Sequence, residues 1–161
     1  MIHLGMQKIA TLLNLLFWLV ICQLPGLVGA STVPANMEWY RSLVKPPLTP
    51  PDAVFMPVWE LLYLLLGVSA FLALQHKTKH STRATALLLM QLVLNAMWTP
   101  VFFGLHHLAG ACILILIMLV EGAFLHRAFK RQEKLAAWLL WPYWMWLCFA
   151  TYLTAGCWLL N

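Results

Sequence analysis

Residues 39–63 read WYRSLVKPPLTPPDAVFMPVWELLY, and the change of character inside this stretch decides the fold. Proline-locked backbone gives way to a long apolar run. Pro46, Pro47, Pro50 and Pro51 each lack an N–H and hold the preceding residue extended, which excludes an uninterrupted helix. An ordered cap or extended strap is therefore expected here. Thr49 as cap, Pro50 at the first helical position and Asp52 just beyond predict a helix start whose carboxylate answers free backbone N–H groups. The helix is expected to begin near Pro50 and to run toward Gln75.

Composition fixes the solvent. With 63% hydrophobic residues, 9% charged residues and nine Trp in 161 residues, the chain cannot hide its apolar surface in a water-soluble core of that size. Five stretches, about 9–30, 53–74, 84–103, 108–129 and 135–159, approach the roughly 20 residues needed to cross a bilayer. Helices satisfy their own backbone in lipid, so an all-α integral membrane bundle of five spans is expected, as a single domain over 1–161 with a lid loop at about 31–52. A competing reading of the first stretch is a signal peptide, from Lys8, the apolar run and Val28-Gly29-Ala30 before Ser31. The run is longer than a signal core, and Pro25, Gly26 and Gly29 suit a packed helix end equally well.

Charge orients the bundle. Five crossings place Lys8, Lys77, Lys79, Arg83, Arg127, Lys130, Arg131 and Lys134 on one side, and only Arg41 and Lys45 on the other. The positive-inside rule then predicts a cytoplasmic N-terminus, with the proline-rich loop and the C-terminus outside. The setting expected is a bacterial inner membrane, or the mitochondrial outer membrane in a eukaryote. The net charge of +5 is a topology signal carried in short turns, and nucleic acid is not an expected partner.

Conventional chemistry has little to work with. Cys22, Cys112, Cys148 and Cys157 lie inside the expected spans without a CxxC spacing and read as small packing residues, so neither a disulfide nor a metal site is expected. The sequence carries no Gly-rich phosphate loop and no HExxH. What remains is an aromatic and polar constellation. Phe55, Trp59 and Tyr63 share one face of the second helix; Gln91, Asn95, Trp98 and Phe102 share one face of the third; Tyr143, Trp146, Ala150 and Leu153 form a stripe on the fifth. Ordinary packing explains a single membrane Trp, but amides at membrane depth need partners and normally face the protein interior.

In their order and spacing, these residues resemble the translocator protein family, also called tryptophan-rich sensory proteins or the peripheral-type benzodiazepine receptor family. The resemblance runs through Trp39-Tyr40, Leu43, Lys45-Pro46 and Pro50-Pro51, then Val58-Trp59, Leu62-Tyr63 and Gly67. It continues through Gln91-Leu92, Leu94-Asn95, Trp98 and Phe102-Phe103-Gly104, and ends with Pro142-Tyr143, Trp146, Phe149-Ala150 and Leu153. It implies a five-helix membrane bundle, often dimeric, that binds porphyrin, haem and hydrophobic drug-like ligands without an obligatory cofactor. By position it implies a pocket of Trp59, Tyr63, Asn95, Trp98, Trp146, Phe149 and Ala150. The lid would carry Trp39, Arg41, Lys45, Pro46, Leu48, Pro50 and Pro51. It also suggests light-dependent porphyrin breakdown, with Trp59 and Trp146 as the residues to test, or transport of porphyrin or lipid. The sequence shows neither an inverted repeat nor a broken mid-membrane helix pair, which argues against a transporter.

The chain departs from the family pattern at several positions. Leu48 stands where a Trp is usual, Thr154 replaces an Asn, and Gly110 replaces an aromatic of animal members. Ala155 and Leu159 replace the Tyr and basic residue of their cholesterol segment. A porphyrin, a flat π-system with carboxylate tails, suits indole faces in an apolar slot with cations at the mouth. Trp59, Trp98 and Trp146 would line the slot, and Arg41 and Lys45 would meet the tails. His106 and His107 are weak candidates for a haem axial ligand, because a polar turn at the surface explains them as well. Two acids lie inside spans, Glu60 near an interface and Glu121 at depth; for Glu121 a buried hydrogen bond and a functional role weigh equally.

Overall fold

The computed structural model describes residues 2–75 and 78–161, with side chains from Gly5 onward. Among the described residues all regular structure is helical. Helix α1 spans Ile2–Thr32, a 3-10 turn covers Pro34–Asn36, and α2 is the short helix Met37–Ser42. Four further helices follow: α3 (Asp52–Leu74), α4 (Ser81–Thr99), α5 (Leu108–Gln132) and α6 (Lys134–Leu139), with α7 (Trp141–Leu160) closing the chain. Four segments are long and apolar enough to cross a membrane, with mean hydropathies of 1.7 to 2.5. They are α1 continued through α2, α3, α4 with the turn after it, and α5. The protein is thus an integral membrane helical bundle. Helix α7, the remaining long helix with 20 residues, dilutes its apolar content with Pro142 and several Trp and Tyr.

Several expected boundaries move, each for a local reason. Helix α3 starts at Asp52 with Pro51 as its cap residue, and Thr49 does not cap it. The Thr49 hydroxyl instead donates to the Pro46 carbonyl at 2.7 Å, closing a turn inside the loop. The Asp52 carboxylate does not face backbone N–H groups; it accepts from Arg41 Nε at 3.0 Å, the one ion pair among the described residues. The segment 31–52 is only partly a strap, because α1 reaches Thr32 and α2 occupies its middle. The third span continues past Thr99 as a wide π turn over Pro100–Gly104, with Leu105 N–H donating to the Pro100 carbonyl at 2.8 Å. Pro100 cannot donate, so the chain re-registers there, as such turns commonly do. The last expected span divides into α6 and α7 at Leu140, and Pro142 sits in the first turn of α7, where a missing N–H costs nothing. Lys77, one of the eight cations on the basic side, lies outside the described residues.

Helix α1 packs along α3, and α5 packs between α4 and α7. The α1–α3 seam is close because Gly67 faces the α1 backbone. A Cβ there would stand 2.9 Å from the Leu19 Cα, the small-residue approach that substitutes for a hydrophobic drive in lipid. Around this seam lies the larger core, with Trp18, Cys22, Leu66, Ala70, Leu88, Leu125 and Phe129 buried. Trp18 and Cys22 make α1 part of that core. The loop-bearing end toward α6 is tied by Thr78 donating to Gln132 Oε1 at 2.7 Å and Gln132 donating to Ser81 at 3.1 Å.

Candidate functional site

At the opposite end, a second core forms where α3, α4, α5 and α7 converge. Leu62, Ile115, Met118, Tyr143, Leu147 and Ala150 are buried there, with Trp59, Trp98 and Trp146 against them. The four-residue spacing on α3 stacks Trp59 on Tyr63, with centroids 5.5 Å apart. Trp59 then meets Trp146 edge-on at 6.4 Å and Tyr143 at 6.5 Å, both contributed by α7. Phe55 extends the group by touching Trp146 at 6.1 Å. These offset and edge-to-face arrangements are the ones aromatic quadrupoles favour. Two surface grooves, of about 430 and 330 Å³, lie elsewhere, beside Lys8 and beside Arg127.

The site residues expected from sequence fall into three groups. Trp59, Tyr63, Asn95, Trp146 and Ala150 come together. Trp98 stacks on Phe102 at 4.9 Å and joins this cluster to a third one beneath α2. Phe149 stands at the edge, in contact with Trp146 at 5.5 Å and stacked toward the exposed Tyr152. The indole N–H groups of Trp98 and Trp146 are buried without an acceptor in the protein. Trp144, outside this cluster, has its indole N–H buried without an acceptor in the same way.

Beneath the rings lies a polar floor. Asn95 Nδ2 donates to the Gln91 carbonyl at 3.2 Å and to the Tyr143 hydroxyl at 2.5 Å. Tyr63 Oη reaches Asn95 Oδ1 at 3.5 Å, and Tyr143 Oη lies 2.6 Å from the Gln91 side-chain amide. The far end of that amide meets Glu121 Oε2. Glu121 is 3% exposed. It has a partner across the helix interface on α4, not on its own helix, where the sequence places Arg127 two turns away. Tyr143 is thus the hub of the floor and was legible only as one member of an aromatic stripe.

The lid is seated on α7 and on the turn after α4. Tyr40 is buried against Phe102 and Phe103 and touches Phe55 at 6.5 Å, which links the lid to the ring cluster. Lys45 does not stand free at a mouth, because its Nζ lies 4.4 Å above the Tyr40 ring. Arg41 is likewise engaged, with Asp52. Trp39 stacks on His106 at 4.0 Å, and His106 Nε2 lies 3.1 Å from Asn36 Oδ1. His107 Nδ1 accepts the Gly110 N–H at 3.0 Å, capping α5. Both weak haem-ligand candidates therefore hold loop structure in this arrangement. A Cβ at Gly110 would collide with the His107 ring, so that imidazole occupies the room an aromatic at position 110 would need. Past the lid helix, the Asn161 side chain accepts from Val44 N–H and donates to its carbonyl, both at 3.0 Å. Tyr152 donates to the Pro47 carbonyl at 2.7 Å. Pro46 lies against Gly156, and Pro50 and Pro51 lead into α3. Leu48, at the family's Trp position, is 82% exposed with φ 66° and takes no part in the ring cluster.

These features define a membrane-embedded helical bundle whose core combines a tryptophan cluster, a polar floor and a clasped lid. The chain matches the TspO/MBR family over residues 8–159 and belongs to it. It is 32% identical to the tryptophan-rich protein TspO of Chlorobaculum tepidum over 88% of this chain and 92% of that one. It is 36% identical to the tryptophan-rich sensory protein of Cereibacter sphaeroides over 84% of each chain. With the human translocator protein it shares 34% identity over 76% of this chain and 75% of that one.

Proposed function

We propose that this protein is a receptor, sensor or carrier that takes tetrapyrroles, porphyrin or haem, and similar flat hydrophobic molecules between Trp59 and Trp146 beneath the lid. The observation that carries the reading is the meeting of Trp59 with Tyr63, Tyr143 and Trp146 on two helices, directly below the Tyr40–Phe55 contact of the lid. A flat π-system entering there exchanges ring–ring contacts for contacts of the same kind with its own faces. Its peripheral acceptors answer the buried Trp98 and Trp146 N–H groups. Carboxylate tails would compete with Asp52 for Arg41. The names of the relatives, tryptophan-rich sensory protein and translocator protein, agree with a ligand-responsive role.

In this reading the chain is a single five-span domain. At about 1.5 Å per residue the 20-residue α7 reaches roughly 30 Å, the thickness of the hydrocarbon layer. The basic end then faces the cytoplasm and the lid faces outward, and a homodimer is the proposed assembly. Titrating protoporphyrin, haem and cholesterol against tryptophan fluorescence, in wild type and in Trp146→Phe, tests the site. The expected result is saturable quenching by the two tetrapyrroles that weakens in the variant. Equal, weak quenching in both proteins overturns it.

A further inference from the structure

The two ends of the Gln91 side-chain amide have the same shape, and one of its two orientations is open only to a protonated Glu121. In one orientation Gln91 Nε2 donates to Tyr143 Oη at 2.6 Å, and its Oε1 meets Glu121 Oε2. Two acceptors then face each other, which is favourable only if the carboxyl carries a proton between them. In the other, Gln91 Nε2 donates to Glu121 Oε2 and to the Met118 carbonyl, and Gln91 Oε1 accepts the Tyr143 O–H. This second arrangement leaves Glu121 Oε2 as a pure acceptor; it is the only one a carboxylate tolerates, and a carboxyl protonated on its unpartnered Oε1 fits it too.

Asn95 makes the choice consequential. Its bond to the Gln91 main-chain carbonyl fixes which end of its amide is nitrogen, and that nitrogen always donates to Tyr143. With Glu121 ionised, every donor in the series points toward it: Tyr63 to Asn95, Asn95 to Tyr143, Tyr143 to Gln91, Gln91 to Glu121. With Glu121 protonated the first orientation becomes available, in which Tyr143 Oη accepts from both amides and its own hydrogen has to turn away from Gln91, toward the rings around Trp59. We propose that Glu121 is a proton-binding site: without the proton the Gln91 amide is locked with its oxygen on Tyr143, and with it the amide is free to turn and Tyr143 to offer its O–H to a ligand in the tryptophan cluster.

The surroundings isolate this carboxyl. The ionisable groups associated with the floor are Tyr143 on α7, Tyr63 on α3 and Cys22 on α1. Helix α4 presents the neutral amides of Gln91 and Asn95, α6 buries only alanines, and the turn over Pro100–Gly104 carries no ionisable side chain. No described Lys or Arg pairs with Glu121, and its Oε1 has no partner. The exchange of orientations moves no heavy atom across the membrane, so the floor changes polarity within a closed core.

The ligand-binding consequence rests on the function proposed above; the switch itself does not. Infrared difference spectra of the purified, ligand-free protein, taken from mildly acidic to mildly alkaline pH, read both ends of the relay. A carboxyl C=O band absent from Glu121→Gln and a phenol C–O band absent from Tyr143→Phe should change together. In Gln91→Met, which keeps the volume and cuts the relay, the carboxyl band should titrate while the Tyr143 band stays fixed. Protoporphyrin dimethyl ester, whose tails do not titrate, should bind about fivefold more tightly at the acidic end, as one added hydrogen bond implies, and Glu121→Gln should remove that dependence. Co-titrating bands without any porphyrin binding would refute the proposed ligand and leave the switch standing. A Tyr143 band that ignores pH, or one that follows pH in Gln91→Met as well, overturns the switch.

Discussion

Tyr143 and Tyr152 lie on the same helix and each donates or accepts through its hydroxyl, yet removing that oxygen has unequal consequences. Tyr143 is buried and serves Asn95 and Gln91 together; Tyr152 is exposed and serves only the Pro47 carbonyl. Hydrogen bonds between membrane helices contribute about 0.6 kcal/mol on average and up to about 1.7 kcal/mol. Tyr143→Phe should therefore cost roughly 1–3 kcal/mol, because it also strands a buried amide, and Tyr152→Phe less than about 1 kcal/mol. Thermal unfolding in mild detergent ranks the two, and an equal loss would show that the buried floor contributes no more than the single exposed bond to Pro47. Sequence placed Asn95 at an interior position correctly because an amide at membrane depth has few alternatives. It left Tyr143 among the rings, since a stripe of spacing three and four does not reveal where a hydroxyl points. Glu121 was recognisable as an anomaly, but its partner Gln91 is on another helix, beyond the reach of local spacing.

Two glycines set how the elements meet. Gly67 lets α1 and α3 approach, and Gly67→Ala would drive a methyl into the Leu19 backbone. Main chain cannot yield as a side chain can, so a loss of about 1–3 kcal/mol is expected, read as lowered thermal stability with the ring cluster's own contacts intact. Gly156 does the same for the lid, since an added Cβ would stand 2.5 Å from the Pro46 ring. Gly156→Ala should lift the segment after α2 and break its alignment with Asn161. Trypsin cleavage after Arg41 in detergent should then accelerate about five- to tenfold, the worth of one or two lost hydrogen bonds, and Asn161→Ala should do likewise. Unchanged cleavage in both variants would mean the α7 contacts do not hold the lid. The proline run announced an ordered cap, because its backbone restriction is local and readable. Its seat was not readable: Val44 and Asn161 are 117 residues apart, and nothing in either residue names the other.

At the scale of the whole molecule, the apolar spans were legible because hydropathy over some twenty residues is a property of composition alone. The division of the last span at Leu140 was not, since the helix-forming run from Leu135 to Trp141 carries no breaker before Pro142. That division bears on topology, because in the five-span arrangement proposed above α7 by itself makes the final crossing. Its C-terminal end is clasped to Val44 of the lid segment, so the two share one side of the membrane whichever side that is. In the orientation proposed above, the excess of basic residues at the other end puts the lid outside. Single cysteines introduced as Leu48→Cys, Leu159→Cys and Lys79→Cys, in a chain whose native cysteines are replaced, test both steps. Leu48 and Leu159 are 82% and 76% exposed. An impermeant maleimide should label both in intact cells and reach position 79 only after permeabilisation. Labelling at 79 alone would invert the bundle while keeping five crossings. Opposite behaviour of 48 and 159 would rule out the clasp together with the fifth span, because a helix end held by Asn161 against Val44 cannot lie across the bilayer from the lid.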